Sequence, residues 1–242
     1  MRRSRSKRRL LVDAGTGVPT AILDAGPITA ERTAAISGLA IARWAPRTDG
    51  GTSRTALIGA GVQAHSHLPV IGRTVPGTSL AIFDRHPDRA EGLAAAARAT
   101  DGIGEATTCE TARDAIRDAD VVVTAASFGP VRQVMTEDWL APDALVVPVD
   151  YATYCSAAVA RGAALFLVDH REQFLANRDA GNFDDYPDPM ATIGEAILAG
   201  TERPANGRVV VSHLGVGLAD LVFGAAILER AIERGLGVLL AR

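Results

Sequence analysis

Lysine is almost absent from this chain. Of its 25 basic residues one, Lys7, is a lysine and the rest are arginine. Chemistry that needs a lysine amine therefore has a single candidate, in a terminal segment. Cysteine is scarce too. Cys109 and Cys155 are isolated, with no C-x-x-C, as suits reduced thiols and a cytoplasmic location. No run of about 18 apolar residues occurs, which excludes a membrane-spanning helix. Neither sign of charge is in large excess: the net charge is −3, too balanced for a nucleic-acid partner. There is no G-x-S-x-G elbow and no Cys/His signature for nucleophilic catalysis. His65 and His67 are two apart on an expected helix and point in different directions, so no metal site is expected.

What is present is a chain of 242 residues, 48% hydrophobic and 22% charged, ample for a packed core. Arg2, Arg3, Arg5, Lys7, Arg8 and Arg9 form a basic run without an acid, which reads as a frayed terminus. The segments 10–13 and 18–24, around Thr16-Gly17, read as a β-hairpin. A helix capped by Thr29 is expected over 30–45, followed by a polar, Gly-containing break at 46–53. Beyond it, apolar strands alternate with helices: strands near 54–59, 79–84, 106–109, 120–125, 145–149, 164–169 and 208–212, and a closing helix over 218–234. Residues 171–189 read as a loop or short helix. Unbroken apolar strands alternating with helices predict a parallel sheet covered on both faces. The acidic cluster Asp184, Asp185 and Asp188 reads as a solvated loop, and His213 as a satisfied core or loop histidine.

The strongest motif is Gly59-Ala60-Gly61-Val62-Gln63-Ala64, a G-x-G-x-x-A between a strand and a helix. Gly59 permits a tight turn, Gly61 lets backbone approach a pyrophosphate, and Ala64 lets the helix lie close to the strand. The helix start offers free N–H groups to the anion, including those of Val62 and Gln63. The next strand ends in Asp84, placed to accept from ribose hydroxyls, which favours NAD. Arg85 beside it suits a 2′-phosphate, so NADP stays open. Thr124 and Ser127 follow the valine-rich strand, where loops line the ligand crevice. They are candidates for cofactor contacts or for strand-end capping.

Four segments together resemble the ornithine cyclodeaminase/mu-crystallin family. They are Asp13-Ala14-Gly15-Thr16-Gly17 with Pro19, Thr29-Ala30-Glu31-Arg32-Thr33-Ala34-Ala35, the glycine turn, and Gly215-Val216-Gly217-Leu218-Ala219-Asp220-Leu221. They occur in family order from Leu10 nearly to the end. The resemblance implies an α/β chain with a Rossmann-type doubly wound sheet and a reduced second domain built from both termini. Residues 1–52 would be a partial substrate and dimerisation domain, 53–213 the dinucleotide-binding domain, and 214–242 a helix returning to the first. It implies an enzyme that oxidises an amino acid or reduces an imine with a nicotinamide, or a cyclodeaminase that closes a ring with loss of ammonia. A homodimer is implied as well.

Carried over by the resemblance, Arg32 holds the substrate carboxylate, for which a guanidinium offers two parallel hydrogen bonds. Asp150 moves the substrate amine proton, and Val216 belongs to the substrate-binding set. Two departures stand beside it. Relative to the family pattern the chain is N-terminally short, and the family's substrate-side lysine has no match. The segment Tyr151-Ala152-Thr153-Tyr154-Cys155-Ser156 after Asp150 also differs, which argues against ornithine as substrate. The alternative reading is a non-catalytic member that binds NAD(P) and a small ligand.

Overall fold

A computed structural model describes residues 7–47 and 52–240. Most of the basic run at 2–9 and part of the break at 46–53 lie outside the described residues. The chain divides into two compact units, residues 33–214 and residues 1–32 with 215–242. One helix, α1 (Ala25–Trp44), runs through the first division. That division falls earlier in the chain than the polar break, because the apolar face of 33–44 packs in the larger unit through Ala40, Ile41 and Trp44.

In the smaller unit, β1 (Arg8–Val12) pairs antiparallel with β2 (Pro19–Asp24). Arg8 and Arg9 thus belong to a strand rather than a frayed end. The connecting turn is tied by Asp13, whose carboxylate accepts from the Gly15 and Thr16 amides and the Thr16 hydroxyl. α1 starts five residues before the expected position. Asp24 accepts the Gly26 amide and caps it, and Pro27 in the first turn has no N–H to leave unsatisfied. A long helix over Gly217–Glu233 completes this unit. Its Gly224 faces Leu11 and Leu23 of the hairpin, where a Cβ would lie 3.3 Å from a Leu11 methyl.

The larger unit is a fully parallel eight-stranded sheet. Its strands are β3 (Arg54–Ile58), β4 (Thr78–Phe83), β5 (Ile103–Thr108), β6 (Val121–Thr124), β7 (Leu145–Pro148), β8 (Leu165–Val168), β9 (Ala191–Thr192) and β10 (Val209–Ser212). They lie in the order β5-β4-β3-β6-β7-β10-β8-β9. Period-2 alternation sends Leu57, Val121 and Val123 to one face and Ala56, Ile58 and Val122 to the other. The first face is covered by α1, α2 (Val62–Thr74), α3 (Pro87–Arg98) and α7 (Ile193–Leu198). The second is covered by α4 (Ala112–Ile116), α5 (Ala157–Arg161) and α6 (Arg171–Asp179). This is the expected doubly wound sheet. Strand order reverses between β3 and β6, and such a switch point opens a crevice at the carboxyl ends of the strands.

The segment 171–189 is more ordered than expected. After α6 it folds over Phe166 and Phe174 through Phe183 and Tyr186, which form a buried aromatic cluster. Asp188 of the acidic cluster pairs with Arg178 at 2.7 Å.

Candidate functional site

The glycine turn leaves β3 at the switch point. Gly59 has φ +99°, and a Cβ there would lie 2.5 Å from the Ala125 carbonyl oxygen after β6. Only glycine permits this conformation and this approach of two loops. Gly61 differs: a Cβ there would meet nothing within 4 Å. Its side is open space, where a ligand's phosphates can approach the backbone. No side chain caps the amides of the first turn of α2, which is the arrangement an anion needs. The buried Gln63 side-chain oxygen has no hydrogen-bond partner among the described residues.

Beside the turn lies a cleft of about 250 Å³. Gly59, Asp84, Arg85, Arg89, Ser127 and Tyr154 are among its lining residues. Asp84 also shapes the cleft, since its two carboxylate oxygens accept the Ala60 and His86 amides, each at 2.8 Å. The end of β4 is thereby fastened to the turn. Arg85 and Arg89 bring two cations to the lining of the cleft.

Asp150, after the end of β7, is 1% exposed. Thr124, itself buried, donates its hydroxyl to one carboxylate oxygen at 2.7 Å, and the Ala126 amide donates to the other at 3.2 Å. Thr124 therefore serves Asp150, while Ser127 faces the cleft. Burial disfavours the carboxylate and pushes the Asp150 pKa up to about 7, against the lowering effect of those hydrogen bonds. Asp150 is thus poised to hold or release a proton near neutrality. It stands directly behind the cleft wall, joined to it through Ala126. The next residue, Tyr151, takes φ +57° and stacks on Phe183, with ring centroids 5.5 Å apart. Tyr186 donates its hydroxyl to the Cys155 carbonyl. The aromatic cluster thus fixes the loop behind Asp150.

Arg32 and Val216 belong to the smaller unit. Arg32 is 9% exposed and its Nε donates to Asp220 at 3.2 Å. Arg9 donates to the other oxygen of Asp220 at 2.6 Å. The Arg32 guanidinium lies against Gly215, where a Cβ would collide with it. Arg32, Gly215 and Asp220, from two of the segments that carry the resemblance, thus meet in one cluster. Val216 is the N-cap of α8 (Gly217–Glu233). Sequence reasoning passed over Asp220 and Gly215 as individual residues, although both stand inside a quoted motif. Ser37 carries no role in the sequence reading and His67 enters it only as a poor metal ligand, yet both are buried together with His213. Lone polar residues on an apolar helix face give no signal until their partners are known. Among the described residues no group of acids, histidines and cysteines is arranged to hold a metal.

Comparison with known proteins agrees with this architecture. The nodulation efficiency protein NfeD of Rhizobium meliloti is 30% identical over 96% of this chain and 71% of its own length. The ketimine reductase mu-crystallin of Mus musculus is 28% identical over 88% of this chain and 66% of its own. The chain thus spans about two thirds of the length of these relatives. The Thermococcus litoralis Delta(1)-pyrroline-2-carboxylate reductase, solved with NADH and L-proline, superposes with a TM-score of 0.80 at 25% identity, covering 96% of this chain and 73% of that one. The sequence profile of the ornithine cyclodeaminase/mu-crystallin family matches residues 3–234, so the chain belongs to that family.

Proposed function

We propose that this chain is an NAD(P)-dependent enzyme that interconverts an amino acid and its imine, or reduces a cyclic imine. The observation that carries this is the pairing of an open glycine turn at the switch point with a buried carboxyl whose pKa lies near 7 just behind the same cleft. The NADH and L-proline named with the Thermococcus litoralis reductase support the same chemistry.

In this reading Gly59 and Gly61 bring backbone to the pyrophosphate, and the first turn of α2 supplies its amides. Asp84 receives the ribose hydroxyls, and Ser127 contributes from the loop after β6. A bound nicotinamide supplies or accepts the hydride. The chain's own part is the proton: Asp150 takes it from the substrate amine on oxidation and returns it on reduction. Arg32 holds the substrate carboxylate, and Asp220 and Gly215 orient its guanidinium. NAD is the proposed cofactor, because a carboxylate that ends the second strand and lines the cleft, as Asp84 does, suits the ribose hydroxyls.

A nicotinamide fluorescence titration with NADH and NADPH, followed by a screen of amino acids and cyclic imines, tests the proposal. Saturable NADH binding and turnover of a cyclic imine are expected. Tighter binding of NADPH would reassign Arg85 and Arg89 to a 2′-phosphate. A second reading, a non-catalytic NAD(P)-binding protein, draws on the full burial of Asp150. Binding without turnover of any imine would favour it.

A further inference from the structure

Three buried polar side chains of the larger unit form an unbroken chain that the proposed reaction does not use. His67, on α2, places Nδ1 2.6 Å from the Gln63 carbonyl oxygen. Its Nε2 lies 2.8 Å from the Ser37 hydroxyl of α1. Ser37 in turn lies 2.9 Å from Nε2 of His213, which follows β10. Ser37 and His67 are fully buried and His213 is 3% exposed.

The protons in this chain can be assigned by elimination. A carbonyl only accepts, so His67 carries its proton on Nδ1. Burial pushes the His67 pKa down to about 4, so the ring is neutral at pH 7 and Nε2 is a bare acceptor. The single Ser37 proton must then point to His67. The Ser37 oxygen is left facing Nε2 of His213, which must carry a proton and donate. All the bonds run one way, from His213 through Ser37 and His67 to the Gln63 carbonyl.

The far end of this chain is the first turn of α2, which carries the glycine-turn backbone. Pro69 lies inside α2, so the His65 carbonyl at the end of the first turn lacks its helical amide partner. Two side chains add hold on the carbonyls before it: Ser66 donates to the Val62 carbonyl at 3.0 Å, and His67 donates to that of Gln63. We propose that Ser37, His67 and His213 form a one-directional hydrogen-bond relay that positions the first turn of α2 for the dinucleotide. The three are positioning residues and touch no reacting atom. The inference rests on the dinucleotide reading above and adds a device that fixes the geometry of its phosphate site.

Two measurements test it. Nitrogen NMR of histidine-labelled protein reads the ring protons directly. His67 should be protonated on Nδ1 alone and His213 on Nε2; a His213 ring protonated only on Nδ1 overturns the relay. NADH titration of variants reads its role. Ser37→Ala should weaken NADH binding roughly tenfold, the scale of one buried hydrogen bond lost. Ser37→Ala with His67→Ala should be no weaker than the worse single change, because they break one chain. His213→Gln, whose amide donates to Ser37, should restore binding, whereas His213→Glu, an acceptor, should not. Unchanged NADH binding in Ser37→Ala, or equal rescue by Gln and Glu, overturns the positioning role. If the unmodified chain binds no NADH, the cofactor reading falls and the positioning role with it, while the ring-proton pattern still decides the relay itself.

Discussion

Asp150 and His67 are both buried ionisable groups, and their effects on stability run in opposite directions. An Asp carboxyl in the unfolded chain loses its proton near pH 4, whereas folded Asp150 keeps it to about 7. Between these values the native state binds the extra proton, so this group lowers stability as pH rises. A His ring in the unfolded chain titrates near 6.5, but folded His67 stays neutral down to about 4. Its contribution is complete above 6.5 and is lost as pH falls toward 4. The two slopes largely offset each other in the wild-type chain. Asp150→Asn deletes only the first. The stability of that variant relative to wild type should therefore rise as pH goes from 4 to 8, measured by urea midpoints. A flat difference would mean that Asp150 titrates like an exposed acid. Burial is what makes these residues functional candidates, and it is the property hardest to read in sequence. The family resemblance supplied Asp150, and its partner Thr124 reads in the sequence as a candidate for a cofactor contact or for strand-end capping, not as a partner of Asp150.

At the scale of the element, the strand–turn–helix from β3 to α2 was legible because each residue of its motif has a separate physical reason. Those reasons can be separated by experiment. Gly59→Ala puts a Cβ against the Ala125 carbonyl at a positive φ, so it should cost about 2 kcal/mol or more of stability and abolish NADH binding. Gly61→Ala meets open space, so stability should change by less than about 1 kcal/mol while NADH binding is lost. Thermal melts paired with NADH titrations check both; normal NADH binding in Gly61→Ala would contradict the phosphate assignment. Elsewhere local rules were overridden. Thr29 looked like a helix cap, yet Asp24 starts α1 earlier because Pro27 is tolerated in a first turn. The segment 171–189 is polar and aromatic in sequence, but Phe174, Phe183 and Tyr186 gather into one cluster only when the chain turns back after α6. No short-range pattern announces such a cluster.

For the whole molecule, the alternation of apolar strands and helices dictated the parallel sheet, and the reversal of strand order located the crevice. The smaller unit was harder to read, since its two segments lie at opposite ends of the sequence and join through Arg9, Arg32 and Asp220. That unit also exposes Leu10, Val12 and Ile22 of the hairpin and Leu218, Leu221, Val222 and Ile232 of α8. Exposed apolar side chains in such number fit the homodimer that the family resemblance implies. Light scattering after size exclusion should return about twice the monomer mass; a monomer mass at micromolar concentration would argue against it. No helix among the described residues is long and apolar enough to cross a membrane.

The central claim is that Asp150 moves the proton while the glycine turn holds the cofactor. The most direct test is the turnover of a cyclic imine by Asp150→Asn beside wild type, with NADH binding measured on the same samples. A loss of about 100-fold or more in turnover, with NADH affinity kept, is expected. Wild-type turnover in Asp150→Asn would contradict it.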